Sequence, residues 1–175
     1  MKSVLISIKP KWCKLIANGK KSVEIRKTRP KLYTPFKCYI YCTLNGTSKI
    51  PLEEYFNGKW HKKKGKVIGE FICDDITKFY PTMNLNELSI NHIHIVDNSC
   101  VDMAELFKYA NGKVLYAWHT SKFKIYDKPK ELSEFRKYIS FFDGESLAVL
   151  EEEGISNIRI KKAPQSWCYV EEVKS

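Results

Sequence analysis

The sequence contains no Cys-x-x-Cys pair, although it holds six cysteines, at positions 13, 38, 42, 73, 100 and 168. That absence removes the usual spacings of zinc ribbons and dithiol redox centres. Cys38 and Cys42 instead share a face with Phe36 and Ile40 in one apolar alternation, and Cys73 shares one with Val67, Gly69 and Phe71. They read as small buried hydrophobes in a reducing compartment. His92 and His94 have no third ligand at metal-site spacing, so neither a metal nor a cofactor is expected. No run approaches the roughly 18 apolar residues of a membrane span, and the N-terminus has no apolar block of the signal-peptide kind. A soluble, cytoplasmic protein with no membrane partner is the expectation. No linker-like stretch divides the chain, and 175 residues at 43% hydrophobic suffice for one core. A single domain spanning 1–175, as a monomer, is expected.

Acidic residues are also scarce, but only at one end. The chain has 30 Lys plus Arg against 20 Asp plus Glu, and residues 1–37 hold eleven of the bases with a single acid, Glu24. That segment carries the whole formal excess of +10. A one-signed field of this kind suits a phosphate-rich partner, since each cation that neutralises a phosphate releases counterions.

Within the basic segment, Gly19-Lys20-Lys21-Ser22-Val23-Glu24-Ile25-Arg26-Lys27 joins the end of a helix to the start of a strand. Upstream, Val4, Ile6 and Ile8 alternate in a first strand that Pro10 ends. Trp12, Leu15 and Ile16 then make a stripe at helical spacing, with Lys11, Lys14 and Lys20 outside it, and Gly19 is the stop. Over residues 22–28 a period of two sets Val23 and Ile25 on one face and Ser22, Glu24 and Arg26 on the other. A carboxylate and a guanidinium on one strand face can pair with each other or offer an acceptor and a fork of donors to a third group.

The pattern Gly-x-Lys-x-x-Glu-x-Arg, filled by Gly19, Lys21, Glu24 and Arg26, resembles the signature of the ASCH domains, a branch of the PUA-like superfamily. Ser3 to Pro10, Phe36 to Thr43, Lys66 to Asp75 and the closing Ala163 to Glu172 follow in the order that such a fold requires. About two thirds of the chain is covered in this way, and 84–102 and 140–158 stand outside as insertions or variable connections. The resemblance implies an α+β fold: a PUA-like partial β-barrel of five to six mostly antiparallel strands with flanking helices. It implies a pocket for a nucleotide, a nucleobase or nucleoside, modified ones included, or a segment of RNA. Lys21 and Arg26 would hold phosphate or carbonyl groups, Glu24 would accept from a base or orient the cations, and Lys9, Arg29, Ser166 and Trp167 would complete the wall.

An enzyme alternative comes with the same resemblance. Acetylcytidine amidohydrolases with a similar motif have a Thr at the place of Glu24, working with the motif Lys and a later carboxylate, matched here by Lys21 and Glu70. This chain has no hydroxyl at that place, Ser22 being the nearest. A metal-independent hydrolase of RNA or a nucleoside using Lys21, Glu24 and Glu70 therefore stands beside the binding-module reading.

Elsewhere, Glu70 lies between Ile68 and Ile72 and, when buried, should find a cation or stay neutral, with Lys21 or Arg26 as the candidate partner. Tyr39 and Tyr41 read as packing residues, and Trp118 as core beside a weaker site candidate, His119. The spacing predicts a helix over 101–109 with Asp102 at its start, a long strand over 115–126, and a second helix over 129–138. Lys59 to Lys64, with Trp60 and His61 embedded, form a second basic stretch suited to a nucleic-acid backbone.

Overall fold

The computed structural model describes residues 1–44, 65–138 and 159–173. The basic stretch 59–64 and the segment 140–158 lie outside them. β1 (Lys2–Ile8) leads into α1 (Pro10–Ala17), followed by β2 (Val23–Arg26), β3 (Phe36–Cys42) and β4 (Lys66–Phe79). Then come α2 (Ile90–Ser99), α3 (Met103–Ala110), β5 (Leu115–Lys130) and β6 (Trp167–Glu171). The strands form one open sheet in the order β2-β5-β4-β3-β1-β6. The expected α+β class with six strands and flanking helices is therefore present, but as an open sheet and not a closed barrel. It is also mixed. β1 pairs antiparallel with β6, Val4 opposite Tyr169, and parallel with β3, Val4 opposite Cys38. The link from β1 to β3 is long enough for a crossover, as a parallel pair requires.

The contacts divide into two compact units, each built from separate stretches of chain. The first comprises Met1–Pro10, Cys38–Gly69 and Tyr126–Ser175. Its core joins Leu5, Tyr39, Tyr41, Val67, Phe135, Ile160 and Val170. Tyr39 and Tyr41 are packing residues, as expected, with Tyr39 edge-on to Phe135 at 5.0 Å. The helix expected over 129–138 does not form. β5 runs on to Lys130, a short 3-10 turn covers Leu132–Glu134, and Lys137 bridges Val170 in an extended chain. An apolar pair three apart, Leu132 and Phe135, fits one 3-10 turn as well as an α-helix. Burial of Phe135 against Tyr39 and pairing beside β6 decide for the turn.

The second unit comprises Lys11–Lys37 and Glu70–Ile125. Val23 and Ile25 of β2 pack with Phe79, Ile95, Leu106, Ala110, Leu115 and Ala117. α3 starts where expected, with the Asp102 carboxylate accepting from the Glu105 amide at 2.7 Å. Its buried residues are Leu106 and Ala110, while Phe107 is exposed. No helix among the described residues is long and apolar enough to cross a membrane.

Candidate functional site

Gly19 sets the geometry of the motif. It takes φ +69°, its amide donates to the Ile16 carbonyl, and the next amide, of Lys20, reaches back to the Leu15 carbonyl. This pair of bonds is the Schellman stop, which favours glycine because a Cβ is disfavoured at positive φ. The Lys21 amide also reaches the Leu15 carbonyl, at 3.1 Å, so the chain turns hard and drives the Lys21 side chain inward.

Lys21 is consequently 2% exposed. Its ammonium donates to the Val23 carbonyl at 2.8 Å and the Ser99 carbonyl at 2.6 Å. Glu24 Oε2 lies 3.4 Å away, and the Trp12 ring centroid 5.0 Å away. Ser99 ends α2, so the cation sits where the helix dipole and its orphan carbonyls favour it. Burial pulls the Lys21 pKa below its ordinary 10.5, with Glu24 opposing that shift. A second stitch joins the same elements: the Ser22 amide donates to the Asn98 carbonyl, and the Ser22 hydroxyl to Asn98 Oδ1, both at 3.0 Å.

Glu24 is 4% exposed. It stands opposite Trp118 in the antiparallel pairing of β2 with β5, and opposed residues share a sheet face. Trp118 is fully buried and edge-on to Phe36. The strand face that carries the motif charges is thus covered at Glu24. Arg26 Nη1 donates to Glu24 Oε1 and, at 3.0 Å, to the Ile25 carbonyl. Glu24 Oε2 is buried and accepts no well-directed hydrogen bond; the Lys21 ammonium is its ion-pair partner. The cluster holds two cations against one carboxylate.

Glu70 is ion-paired with Lys37 at 3.9 Å, and not with Lys21 or Arg26 as the sequence reading anticipated. The side chain of Glu70 is 21% exposed and that of Lys37 23%, so water shares the solvation that a deeper cation would otherwise supply. Arg29 is exposed on the loop after β2. Lys9, exposed, and Ser166 and Trp167, half-buried, belong to the first unit. There the Ser166 carbonyl accepts from the Ser7 amide, and Trp167 lies edge-on to Tyr169 at 5.3 Å.

His119 is half-buried, with Nε2 2.9 Å from Thr77 Oγ1 and its ring stacked on His94 at 6.0 Å. Burial pulls its pKa below 6.5; Asp75 and Asp74 raise it, and His94 lowers it further. Among the described residues no group of three His, Cys, Asp or Glu side chains is arranged to hold a metal ion. A groove of about 540 Å³ is lined by residues that include Phe79, Tyr80, Glu87, His92 and Phe107, and by none of the motif residues.

Sequence reading missed Asn98 and Ser99, which complete the cluster from a stretch taken as a variable connection. The local signal was the capped start of α2, where Ser89 accepts from the His92 amide and His92 reaches back to the Ser89 amide. That signal marks a helix without saying where it packs.

No protein-family model matches the chain, and no curated protein matches it by sequence. Solved structures do. An ASCH protein from Zymomonas mobilis aligns over 97% of this chain and 88% of its own, with a TM-score of 0.55 at 16% identity. Two point variants of that protein align with TM-scores of 0.57 and 0.58 at 17% and 18% identity. They cover 98% and 97% of this chain, and 92% and 89% of their own. The chain has the ASCH-type fold.

Proposed function

We propose that this ASCH-fold protein binds RNA or a nucleotide through the basic face of its second unit. The observation that carries the reading is the fate of Glu24. It is the sole acid among residues 1–37, and it is buried and neutralised from within by Lys21 and Arg26. Lys11, Lys20, Lys27, Arg29 and Lys31 are all exposed. The segment therefore turns only positive charge outward. Such a surface attracts phosphates and gains free energy by counterion release. The buried cluster acts as the frame, fixing the end of α1, the end of α2 and β2 beneath that surface.

Binding is better supported than hydrolysis. The Lys21 ammonium is engaged by two carbonyls, the Ser22 hydroxyl donates to Asn98, and Glu70 pairs with Lys37. None of these groups is poised as a free base or nucleophile. Filter binding of a short single-stranded RNA over a salt series tests the proposal. Each phosphate contact contributes a slope of about −0.7 in log affinity against log salt on a single strand. Replacing Lys20, Arg29 and Lys31 by alanine together should flatten the slope by up to about 2. An affinity independent of salt, or a triple variant that binds as the parent does, would remove the electrostatic basis of the reading.

A further inference from the structure

Tyr33 is 98% exposed. Apart from Met1 at the terminus, the next most exposed large hydrophobics among the described residues are Ile90 at 84% and Leu85 at 80%. Those two lie in a stretch, 79–107, that contains no Lys or Arg. Tyr33 instead follows Arg29 and Lys31, both exposed, on the loop between β2 and β3. The loop is pinned on either side of it: Pro30 is buried, Leu32 is half-buried, and Phe36 is 7% exposed and edge-on to Trp118. Between those anchors exposure alternates, with Lys31 and Tyr33 outward and Leu32 and Thr34 partly covered.

A ring held in water, on a loop that also exposes Arg29 and Lys31, contributes nothing to the core. It does meet the two requirements of single-strand recognition, a flat apolar face for a base and neighbouring positive charge for the backbone. Two proline-flanked anchors also limit the ordering cost that a floppy loop would add on binding. Lys27 is folded over the Tyr109 ring at 4.8 Å and Lys37, half-buried, is ion-paired with Glu70, so the exposed cations nearest in sequence to the ring are Arg29 and Lys31.

We infer that Tyr33 is a stacking platform for an unpaired base of single-stranded RNA, with Arg29 and Lys31 beside it as backbone contacts. The inference rests on the RNA-binding reading above and adds a salt-independent contribution to it. Stacking has no counterion release, whereas phosphate contacts do.

The test compares the full chain with Tyr33→Ala and Tyr33→Phe, using a short oligoadenylate and a strand of the same length built from abasic sites. The parent should bind the base-bearing strand more tightly than the abasic one. Tyr33→Ala should lose about tenfold or more in affinity for oligoadenylate, leave abasic binding unchanged, and keep the parent's salt slope. Tyr33→Phe should retain parental affinity, because the ring and not the hydroxyl does the stacking. All three should melt alike, since the side chain packs on nothing it would leave empty. If the parent binds oligoadenylate and Tyr33→Ala binds it equally well, the stacking assignment is wrong while the RNA-binding reading stands. If the parent binds neither strand, the RNA-binding reading itself falls and this inference with it.

Discussion

Replacing Lys21 by methionine keeps most of the stem and removes the ammonium, which makes it the sharpest probe of the motif. In the parent that group satisfies the Val23 and Ser99 carbonyls and neighbours Glu24, at 2% exposure. Removing one partner of a buried ion pair costs about 3–5 kcal/mol, because the other charge stays behind. Glu24 keeps Arg26, and the desolvation of the ammonium is relieved, so the lower end, about 3 kcal/mol, applies. For a chain of this length about 3 kcal/mol corresponds to a fall of about 6–12 °C in Tm. Urea and thermal denaturation at neutral pH measure both quantities. Glu24→Gln should also destabilise, since it leaves the buried Lys21 and the half-buried Arg26 as like charges without their carboxylate, and the double variant should cost less than the two singles combined.

The pH dependence has a definite sign. Burial lowers the Lys21 pKa below 10.5, so the unfolded chain holds that proton more tightly than the native one. In the alkaline window leading up to 10.5 the native state loses it first, and the stability of the parent relative to Lys21→Met should rise with pH. A loss under about 1 kcal/mol for Lys21→Met, the scale of an exposed ion pair, would refute the buried-cluster reasoning.

Other consequences are simpler to check. Gly19→Ala should cost about 1–2 kcal/mol in urea unfolding, purely from positive φ, because a Cβ there meets no atom within 4 Å. His119 should titrate below 6.5 by NMR. As pH falls through that value the unfolded chain takes the proton first, so parental stability should drop and His119→Gln should flatten the acid limb. Cys100 is exposed and should react first with a thiol reagent on the native protein. Cys73, buried and with its thiol pushed up to about 12, should stay silent until unfolding exposes it, and thiol counting on denatured protein should then reach six.

Much of the local structure was legible because its causes are local. Pro10 opening α1, Gly19 closing it and Asp102 capping α3 act through the nearest few peptide groups, and the alternations in β1 and β3 mark them as strands wherever they lie. The grouping of Glu24 with Arg26 on one face of β2 follows from the same period of two, and Lys21 joins them through the turn that Gly19 makes. What covers that face was not legible. The period says which side chains share a side, but not that Trp118 lies opposite Glu24 or that α2 delivers its last carbonyl to the Lys21 ammonium. The same gap misassigned the partner of Glu70, and it hid the choice between α-helix and 3-10 turn at Leu132–Glu134, which the packing of Phe135 on Tyr39 decides. A motif in the sequence fixes the types and spacing of its charges. Whether those charges face water or one another depends on elements more than seventy residues away, because desolvation is set by whatever packs over a group and not by its neighbours in the chain.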